Sequence, residues 1–228
     1  MLLQAEPPTP SDEAKIRAIP WILVSGFLNI IFVLWTFGGS VFLLFLNELG
    51  LPKSQIGVIL ALFPFCGVIA LGFAPLATRW GWKRVFIVCY GGRKLVMALL
   101  LLLPWVLAQA GHPAGMVLLF GIIIAFALLR AMAETAYYPW AQEFTPNHIR
   151  GKFTGINTVV ITIASGLALL IAGQVIGQGA DLSQYLALLA VGCVLGLLGV
   201  AMMIKVPGGT PRHAIEAPGA NRAKMVAA

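Results

Sequence analysis

The sequence predicts an all-α membrane protein with six transmembrane helices. Hydrophobic residues make up 60% of the chain and charged residues only 10%, a composition that excludes an ordinary soluble domain. A membrane-spanning helix needs about 20 mostly apolar residues. Four stretches of sufficient length carry no charge at all: Ala18–Asn47, Ser54–Thr78, Phe153–Ala180 and Leu182–Ile204.

The first two predicted spans are Trp21–Asn47 and Ser54–Ala77. The residues that precede them, 1–19, hold acidic residues and prolines ahead of the first apolar run. This is the opposite of the basic segment that opens a signal peptide. We therefore expect residues 1–19 to form a cytoplasmic N-terminal tail.

The next two spans come from one long uncharged stretch, Leu95–Leu129. The sequence AQAGHPAG (Ala108–Gly115) interrupts it, and its Gly, His and Pro residues predict an exposed turn. A third span at Arg84–Ala108 and a fourth at Gly115–Tyr138 follow from this division.

The last two spans are Phe153–Gly177 and Leu182–Ile204, so the transmembrane domain covers residues 20–205. From Val206 the chain turns to Pro, Gly, Ala and scattered charge, which predicts a flexible cytoplasmic tail or a truncated central loop over residues 206–228. Three glycines in the fifth span are spaced for close helix packing: Gly166, Gly173 and Gly177.

The basic residues set the orientation. If the N-terminus is cytoplasmic, the outer turns hold only Lys53, and the positive-inside rule then places both termini in the cytoplasm. The net charge of +7 is a topology signal and implies contact with the lipid bilayer, not with nucleic acid. The inner basic residues are Lys15, Arg17, Arg79, Lys83, Arg84, Arg150, Lys152, Lys205, Arg212, Arg222 and Lys224.

The sequence offers no catalytic residues, cofactor or metal site. The cysteines, Cys66, Cys89 and Cys193, lie singly inside spans without the paired spacing of a metal or disulfide framework. No nucleophile with an adjacent base is visible in the spans. We therefore do not expect an enzyme.

Charges inside spans are the strongest functional signal, because an ionisable residue in the bilayer normally faces a cavity or a partner. Arg93 lies about 13 Å along its helix from Arg84, and Arg130 reaches a similar depth. Lys94 is turned about 100° from Arg93, so both cannot point squarely into one cavity. In an alternative interpretation, the glycines before Arg93 end an interfacial segment and the third span begins at Arg93.

Arg130 and Glu134 are four residues apart and can pair on one helical face. The pair is either structural or a proton site in which Arg130 holds the charge of Glu134. With Arg93 and Lys94 the candidate cavity carries net positive charge, which favours an anionic or polyhydroxy-acid solute. Asn29 in the first span offers further hydrogen bonds.

Four short segments form a recognisable series along the chain. They are the outer turn NELGLPKSQIG (Asn47–Gly57), the inner loops APLATRWGWKR (Ala74–Arg84) and EFTPNHIRGKFTG (Glu143–Gly155), and VPGGTPR (Val206–Arg212) after the sixth span. In this order they resemble the N-terminal half of a major facilitator superfamily transporter, over roughly residues 20–210.

The resemblance implies six helices arranged as two inverted three-helix repeats, which is half of a major facilitator fold. It also implies a cytoplasmic gate in the loop between spans two and three, where Thr78 stands in place of an aspartate that forms an ion pair in the family. The matching residues of this loop are Arg79, Gly81, Lys83 and Arg84. These basic residues also fit a simpler role as headgroup anchors.

We therefore expect half of a secondary active transporter in a bacterial plasma (inner) membrane. It would move a small anionic or polar solute by alternating access, with or without proton coupling. A second six-helix half is then needed, from a second copy, a split-gene partner or the remainder of a truncated sequence. The alternative is a non-transporting membrane scaffold or assembly subunit with the same fold. Buried charge favours the transporter, whereas Thr78 and the missing half favour the scaffold.

Overall fold

The computed structural model describes residues 10–177 and 181–209, except for the side chains of residues 69–71 and 74–76. The chain is helical, with no β-strand in these ranges, and short 3-10 helices at Leu71–Phe73, Leu99–Leu102 and Asn147–Ile149 connect several of the α-helices. The α-helices are α1 (Asp12–Thr36), α2 (Ser40–Glu48), α3 (Lys53–Ala70), α4 (Ala74–Trp80), α5 (Trp82–Ala98), α6 (Leu103–Phe144), α7 (Arg150–Ile176) and α8 (Leu182–Ile204).

Four helical stretches of the described chain are long and apolar enough to cross a membrane: Asp12–Glu48, Trp82–Phe144, Asn147–Ile176 and Leu182–Ile204. The prediction of an all-α chain with long apolar helices is confirmed at this level. The predicted second span, Ser54–Ala77, is not one continuous α-helix, because α3 ends at Ala70. There the chain passes through a 3-10 turn and restarts as α4, with Pro75 in its first turn.

The predicted turn at Ala108–Gly115 is reduced to one residue. Helix α6 is interrupted only at Gly111, which has φ 79° and ψ 177°. The chain reverses direction at Gly111, so that the segments before and after it lie side by side. An added Cβ at Gly115 would clash with the Leu107 side chain, and one at Gly92 would lie 3.5 Å from Leu129. We call residues 103–110 α6a and residues 112–144 α6b; α6b runs antiparallel to α5.

The first helix begins earlier than predicted. Ser11 caps it, since its Oγ accepts a hydrogen bond from the backbone N of Ala14 at 3.3 Å, and Asp12 and Glu13 occupy the first turn. Acidic residues are favourable at that end of a helix. Residues 12–19, predicted as part of a tail, are therefore helical and belong to α1.

Helix α5 is continuous through the glycine pair that precedes Arg93. It runs from Trp82 to Ala98, and Arg93 and Lys94 are both buried in its second half. The glycine pair therefore does not end a helix, as the alternative interpretation of the third span expected. Gly81, at φ 90°, is the single residue between α4 and α5, and this backbone conformation favours glycine.

The helices group into six segments: α1 with α2, α3 with α4, α5 with α6a, then α6b, α7 and α8. Segment 1 packs against segments 5 and 6, segment 4 packs against segments 2 and 3, and segment 3 packs against segment 6. Trp35 Nε1 joins segments 1 and 5 by donating to the carbonyl O of Ala168 at 2.8 Å. The rings of Phe63 and Phe126, with centroids 5.9 Å apart, join segments 2 and 4.

Close helix packing at glycines occurs in α8, and not in the fifth span, where the sequence predicted it. Around the fifth-span glycines Gly166, Gly173 and Gly177, no described atom lies within 4 Å of an added Cβ, so these glycines do not pack within this chain. The tight contact is instead at α8, where Gly192, Gly196 and Gly199 face α1. Ser25 Oγ of α1 donates to the carbonyl O of Gly199 at 2.8 Å across this contact.

Two apolar clusters fill the two ends of the bundle. One holds Phe32, Phe42, Leu100 and Phe126, and the other holds Ile22, Phe86, Trp140 and Met203 with their neighbours. The second cluster lies at the end where α1 starts, α5 starts, α6b ends and α8 ends. That end carries the basic residues of the predicted inner loops.

The first residues after α8 are packed, although the sequence predicted a flexible tail from Val206. Lys83 Nζ donates to the carbonyl O of Val206 at 2.6 Å, and Trp140 Nε1 donates to the carbonyl O of Pro207 at 3.0 Å. The backbone N of Gly209 donates to Glu143 Oε2 at 3.0 Å. The prediction is wrong for residues 206–209, and residues 210–228 lie outside the described ranges.

Candidate functional site

A layer of polar side chains lies between the two apolar clusters. Ser25 and Asn29 come from α1, Arg93 and Lys94 from α5, and Glu134 from α6b. On each of these helices, the buried residues toward one end of the helix belong to one apolar cluster, and those toward the other end belong to the second cluster. The predicted intramembrane charges therefore sit near the middle of the helical bundle.

Asn29 is shared by two buried cations. Arg93 Nη2 donates to Asn29 Oδ1 at 3.1 Å, and Lys94 Nζ donates to the same oxygen at 3.2 Å. Arg93 is 5% exposed and Lys94 is 0% exposed. Neither forms an ion pair within the described residues, so one neutral amide oxygen serves two positive charges.

Lys94 is enclosed by aromatic rings and a glycine. Its Nζ lies 3.3 Å from the centroid of the Tyr90 ring and 4.7 Å from that of Phe32, and it donates to the carbonyl O of Tyr90 at 3.4 Å. The negative faces of aromatic rings stabilise a cation at such distances. The aliphatic part of Lys94 passes over Gly196, where an added Cβ would lie 2.7 Å from Lys94 Cε.

We expect the substitution Gly196→Ala to lower the free energy of unfolding by about 1–3 kcal/mol, which is typical of overpacking a filled interior. The new Cβ would push Lys94 away from Asn29 and would also lie 3.0 Å from Phe32 Cδ2. Thermal unfolding of the purified protein measures the effect. Gly121→Ala is the matched control, because no described atom lies within 4 Å of its added Cβ. Equal unfolding temperatures for the two variants would contradict the prediction.

A cavity of about 240 Å³ opens beside Arg93. Arg93 and Asn29 line it, whereas Lys94 does not, as the 100° turn between adjacent helix positions led us to expect. Glu134 is the one carboxylate among the described lining residues. The other lining residues are Ile22, Ser25, Gly26, Ile30, Phe86, Tyr90, Ala133, Tyr137, Asn157, Ile161 and Met203.

Arg130 and Glu134 form the predicted pair, with Arg130 Nε donating to Glu134 Oε1 at 2.8 Å. Arg130 does not line the cavity; its guanidinium carbon lies 5.4 Å and 5.9 Å from the ring centroids of Phe37 and Phe63. The pair is partly exposed, with 34% of the Arg130 side chain and 48% of the Glu134 side chain accessible. Glu134 therefore lines the cavity and at the same time pairs with Arg130, which lies outside the cavity.

The charges around this cavity do not cancel. Glu134 is paired with Arg130, while Arg93 and Lys94 both donate to Asn29 and form no ion pair within the described residues. A charge in the membrane interior costs roughly 3 kcal/mol on insertion scales. Among the described residues, the charged side chains that line the cavity itself are Arg93 and Glu134.

The predicted gate loop lies at the end of the bundle, away from the cavity. Lys83 Nζ donates to the carbonyl O of Ile204 at 2.8 Å, which ties the start of α5 to the end of α8. Thr78, Arg79 and Arg84 are exposed at the same end. Gly81 supplies the turn between α4 and α5, as the loop pattern predicts.

Some residues of the cavity were not singled out from the sequence. Ser25 precedes Asn29 by one helical turn, a spacing that would have placed both on one face of α1. Tyr90 precedes Arg93 by three residues, and this spacing would likewise have placed both on one face of α5. Of the other polar residues of the spans, Tyr137 lines the cavity, whereas Tyr138 and Gln174 are exposed.

Metal-binding groups are not assembled in the described chain, which has no cluster of three or more His, Cys, Asp or Glu side chains. The three cysteines are free and buried. No protein-family model matches the sequence, and neither the curated proteins nor the solved structures include a significant match.

Proposed function

We propose that this chain is a six-helix unit of a secondary active transporter, of the major facilitator type, that moves a small anionic solute by alternating access. The observation that carries the proposal is the pair of buried basic side chains, Arg93 and Lys94, near mid-depth in the bundle, where Arg93 lines a cavity and neither residue forms an ion pair within the described residues. Residues of this kind inside spans are costly and mark solute or ion pathways.

The packing of the six segments supports the arrangement as two inverted three-helix repeats. An inverted repeat would exchange segment 1 with segment 4, segment 2 with segment 5, and segment 3 with segment 6. Under this exchange the contact between segments 1 and 6 becomes that between segments 4 and 3, and the contact between segments 1 and 5 becomes that between segments 4 and 2; both resulting contacts are observed. The contact 3–6 is unchanged by the same exchange. A set of helix contacts that is preserved in this way is expected of a pseudo-twofold repeat in the membrane plane.

The proposed location is a bacterial plasma membrane, with the start of α1 and the end of α8 both on the cytoplasmic side. The support comes from the charges: Lys83, Arg84, Arg150 and Lys205 lie at one end of the bundle, and the opposite end has Lys53. This asymmetry follows the positive-inside rule.

Alternating access also needs a second six-helix unit. It would come from a second copy, from another chain or from further residues of the same polypeptide. Helix α7 is suited to face it, because only 17% of its most apolar stretch is buried and Asn157 and Ile161 reach the cavity from it. A second unit over α7 would close the open side of the cavity.

Glu134 is the proposed proton site. It lines the cavity and is paired with Arg130, so a proton that neutralises Glu134 would release Arg130. Protonation would thereby be linked to the arrangement of α6b against α3, whose Phe63 contacts the Arg130 guanidinium. An anionic solute arriving next to Glu134 would favour uptake of that proton.

The proposal is tested by counterflow in proteoliposomes that contain the native complex, whose mass is measured at the same time. We expect labelled organic anions to exchange across the membrane and labelled organic cations not to exchange. We also expect the mass to correspond to two six-helix units. A complex that exchanges no anion, cation or neutral solute, or a stable monomer, would support the non-transporting scaffold instead.

A further inference from the structure

We infer that the Arg93 end of the cavity is an oxyanion site for a small monocarboxylate with an apolar body. The inference deepens the proposed function by naming the class of solute, and it rests on that proposal for its role in transport. As a binding site it is argued from the contacts of Arg93 and Asn29 and can be tested without any transport.

The first observation is an unsatisfied donor. The Nε–H of Arg93 is buried and has no hydrogen-bond partner among the described residues, although Nη2 is used by Asn29. Buried polar groups are nearly always hydrogen-bonded, and an unsatisfied one destabilises the protein. Arg93 also lines the cavity, so a ligand acceptor there would meet its guanidinium, and a rotation of that side chain would bring the Nε–H within reach.

The second observation is the use of the Asn29 amide. Its Oδ1 accepts from both Arg93 and Lys94, so the side-chain orientation is fixed with the oxygen toward the two cations. The Nδ2 group, which can only donate, is left on the other side of the amide. Asn29 lines the cavity, and its remaining polar chemistry therefore matches that of Arg93 as a donor to an oxyanion.

Carboxylates suit this pair of donors. A guanidinium binds a carboxylate through parallel N–H groups, and hydrogen bonds to an ionised group are about twice as strong as neutral ones. Lys94 does not reach the cavity, but it donates to Asn29 Oδ1 from behind the site and so fixes the orientation of that amide. Lys94 is thus a positioning residue for the proposed ligand.

The rest of the cavity limits the size and charge of the solute. The cavity of about 240 Å³ is small, and Phe86, Tyr137, Ile161 and Met203 supply apolar walls. Glu134 stands in the same cavity and would repel a second negative charge. These features favour a monocarboxylate with a short aromatic or branched body over a dicarboxylate or a phosphate.

Equilibrium binding of labelled benzoate to the purified native complex tests the site. Nanodiscs of uncharged phosphatidylcholine exclude competition from anionic lipid headgroups. We expect saturable benzoate binding, and competition by the neutral analogue benzamide and by the dianion phthalate that is at least tenfold weaker. Absence of saturable benzoate binding, or equal competition by benzamide, would overturn the inference.

Two substitutions separate the site from the fold. Asn29→Asp keeps the oxygen between Arg93 and Lys94 but adds a negative charge that offsets the positive charge of Arg93. We expect benzoate affinity to fall at least tenfold while the unfolding temperature stays the same or rises. Arg93→Lys should also weaken binding at least tenfold, because it keeps the charge and removes the guanidinium N–H groups.

Arg150→Lys, a substitution at the exposed start of α7, is the matched control and should leave benzoate affinity unchanged. Unchanged benzoate affinity in Asn29→Asp would refute the oxyanion site. If the complex exchanges some other anion but does not bind benzoate, the site is wrong and the transporter stands. If benzoate binds as described but no solute exchanges, the site stands and the transport function is wrong.

Discussion

Replacing Asn29 with leucine is expected to lower the free energy of unfolding by about 3–5 kcal/mol, the range found when a buried charge loses its partner. Asn29 Oδ1 is the side-chain acceptor for both Arg93 and Lys94. Hydrogen bonds to charged groups contribute about 1.5–3 kcal/mol each, and leucine would remove two of them at once. This is the largest stability effect that we expect from a substitution of a neutral side chain in the bundle.

The measurement is equilibrium or thermal unfolding of the purified complex, with Asn47→Leu as the control. Asn47 is exposed at the end of α2, and surface substitutions usually change stability by less than about 0.5 kcal/mol. Adding Lys94→Met to Asn29→Leu should restore part of the loss, because one of the two stranded cations is then gone. If Asn29→Leu unfolds like the parent protein, Asn29 does not hold the two charges.

The second large effect is expected on proton coupling. With one proton carried per solute, a pH difference of one unit supports about tenfold accumulation of the solute, since one pH unit corresponds to about 1.36 kcal/mol. Glu134→Gln removes the proposed proton site while it keeps a hydrogen-bond acceptor for Arg130. We expect accumulation driven by a pH gradient to disappear and solute exchange at equal pH to persist.

The initial rate of labelled benzoate uptake into proteoliposomes, with and without a pH gradient and after subtraction of the uptake into protein-free liposomes, measures this effect. Glu48→Gln at the exposed end of α2 is the matched carboxylate control and should accumulate solute like the parent protein. Retained tenfold accumulation in Glu134→Gln would mean that the proton is carried elsewhere or that the Arg130–Glu134 pair is structural, as the alternative interpretation of the sequence holds.

The helices and the depth of the charges were predictable because both depend on local features of the sequence. The length of an uncharged run limits where a helix can span, and the distance from Arg84 to Arg93 fixes the depth of Arg93 at 1.5 Å per residue. The divergence of Arg93 and Lys94 was predictable for the same reason. Only one of them lines the cavity.

Contacts between distant segments were not predictable from these patterns. The sequence could not tell which cation would face the cavity, because that depends on the space that Gly196 of α8 leaves for Lys94. It pointed to glycines in α7 as packing positions, whereas those in α8 make the close contact with α1. Spacing alone does not show which face of a helix meets a neighbour.

Boundaries were the weakest part of the prediction. The sequence suggested a tail from Val206, but Lys83, Trp140 and Glu143 bind the backbone of residues 206–209. Those three side chains lie far from Val206 in the sequence, and small polar residues alone look like a linker. In the same way, the break at Gly111 is one residue long because a single positive φ reverses the chain there.

Thiol labelling tests whether the cavity opens alternately to the two sides of a membrane. Asn157→Cys places one thiol in the cavity wall after Cys66→Ala, Cys89→Ala and Cys193→Ala have removed the buried native thiols. Asn47→Cys, exposed near the predicted outer turn, is the control for sidedness. Membrane-impermeant anionic and cationic methanethiosulfonates of similar size are applied to right-side-out and inside-out vesicles.

We expect Asn157→Cys to react from both sides, faster with the anionic reagent than with the cationic one, and more slowly when benzoate is present. Asn47→Cys should react from the outer side alone. If Asn157→Cys reacts from a single side under every condition, or faster with the cationic reagent, the cavity is not an alternating anion pathway and the account is contradicted.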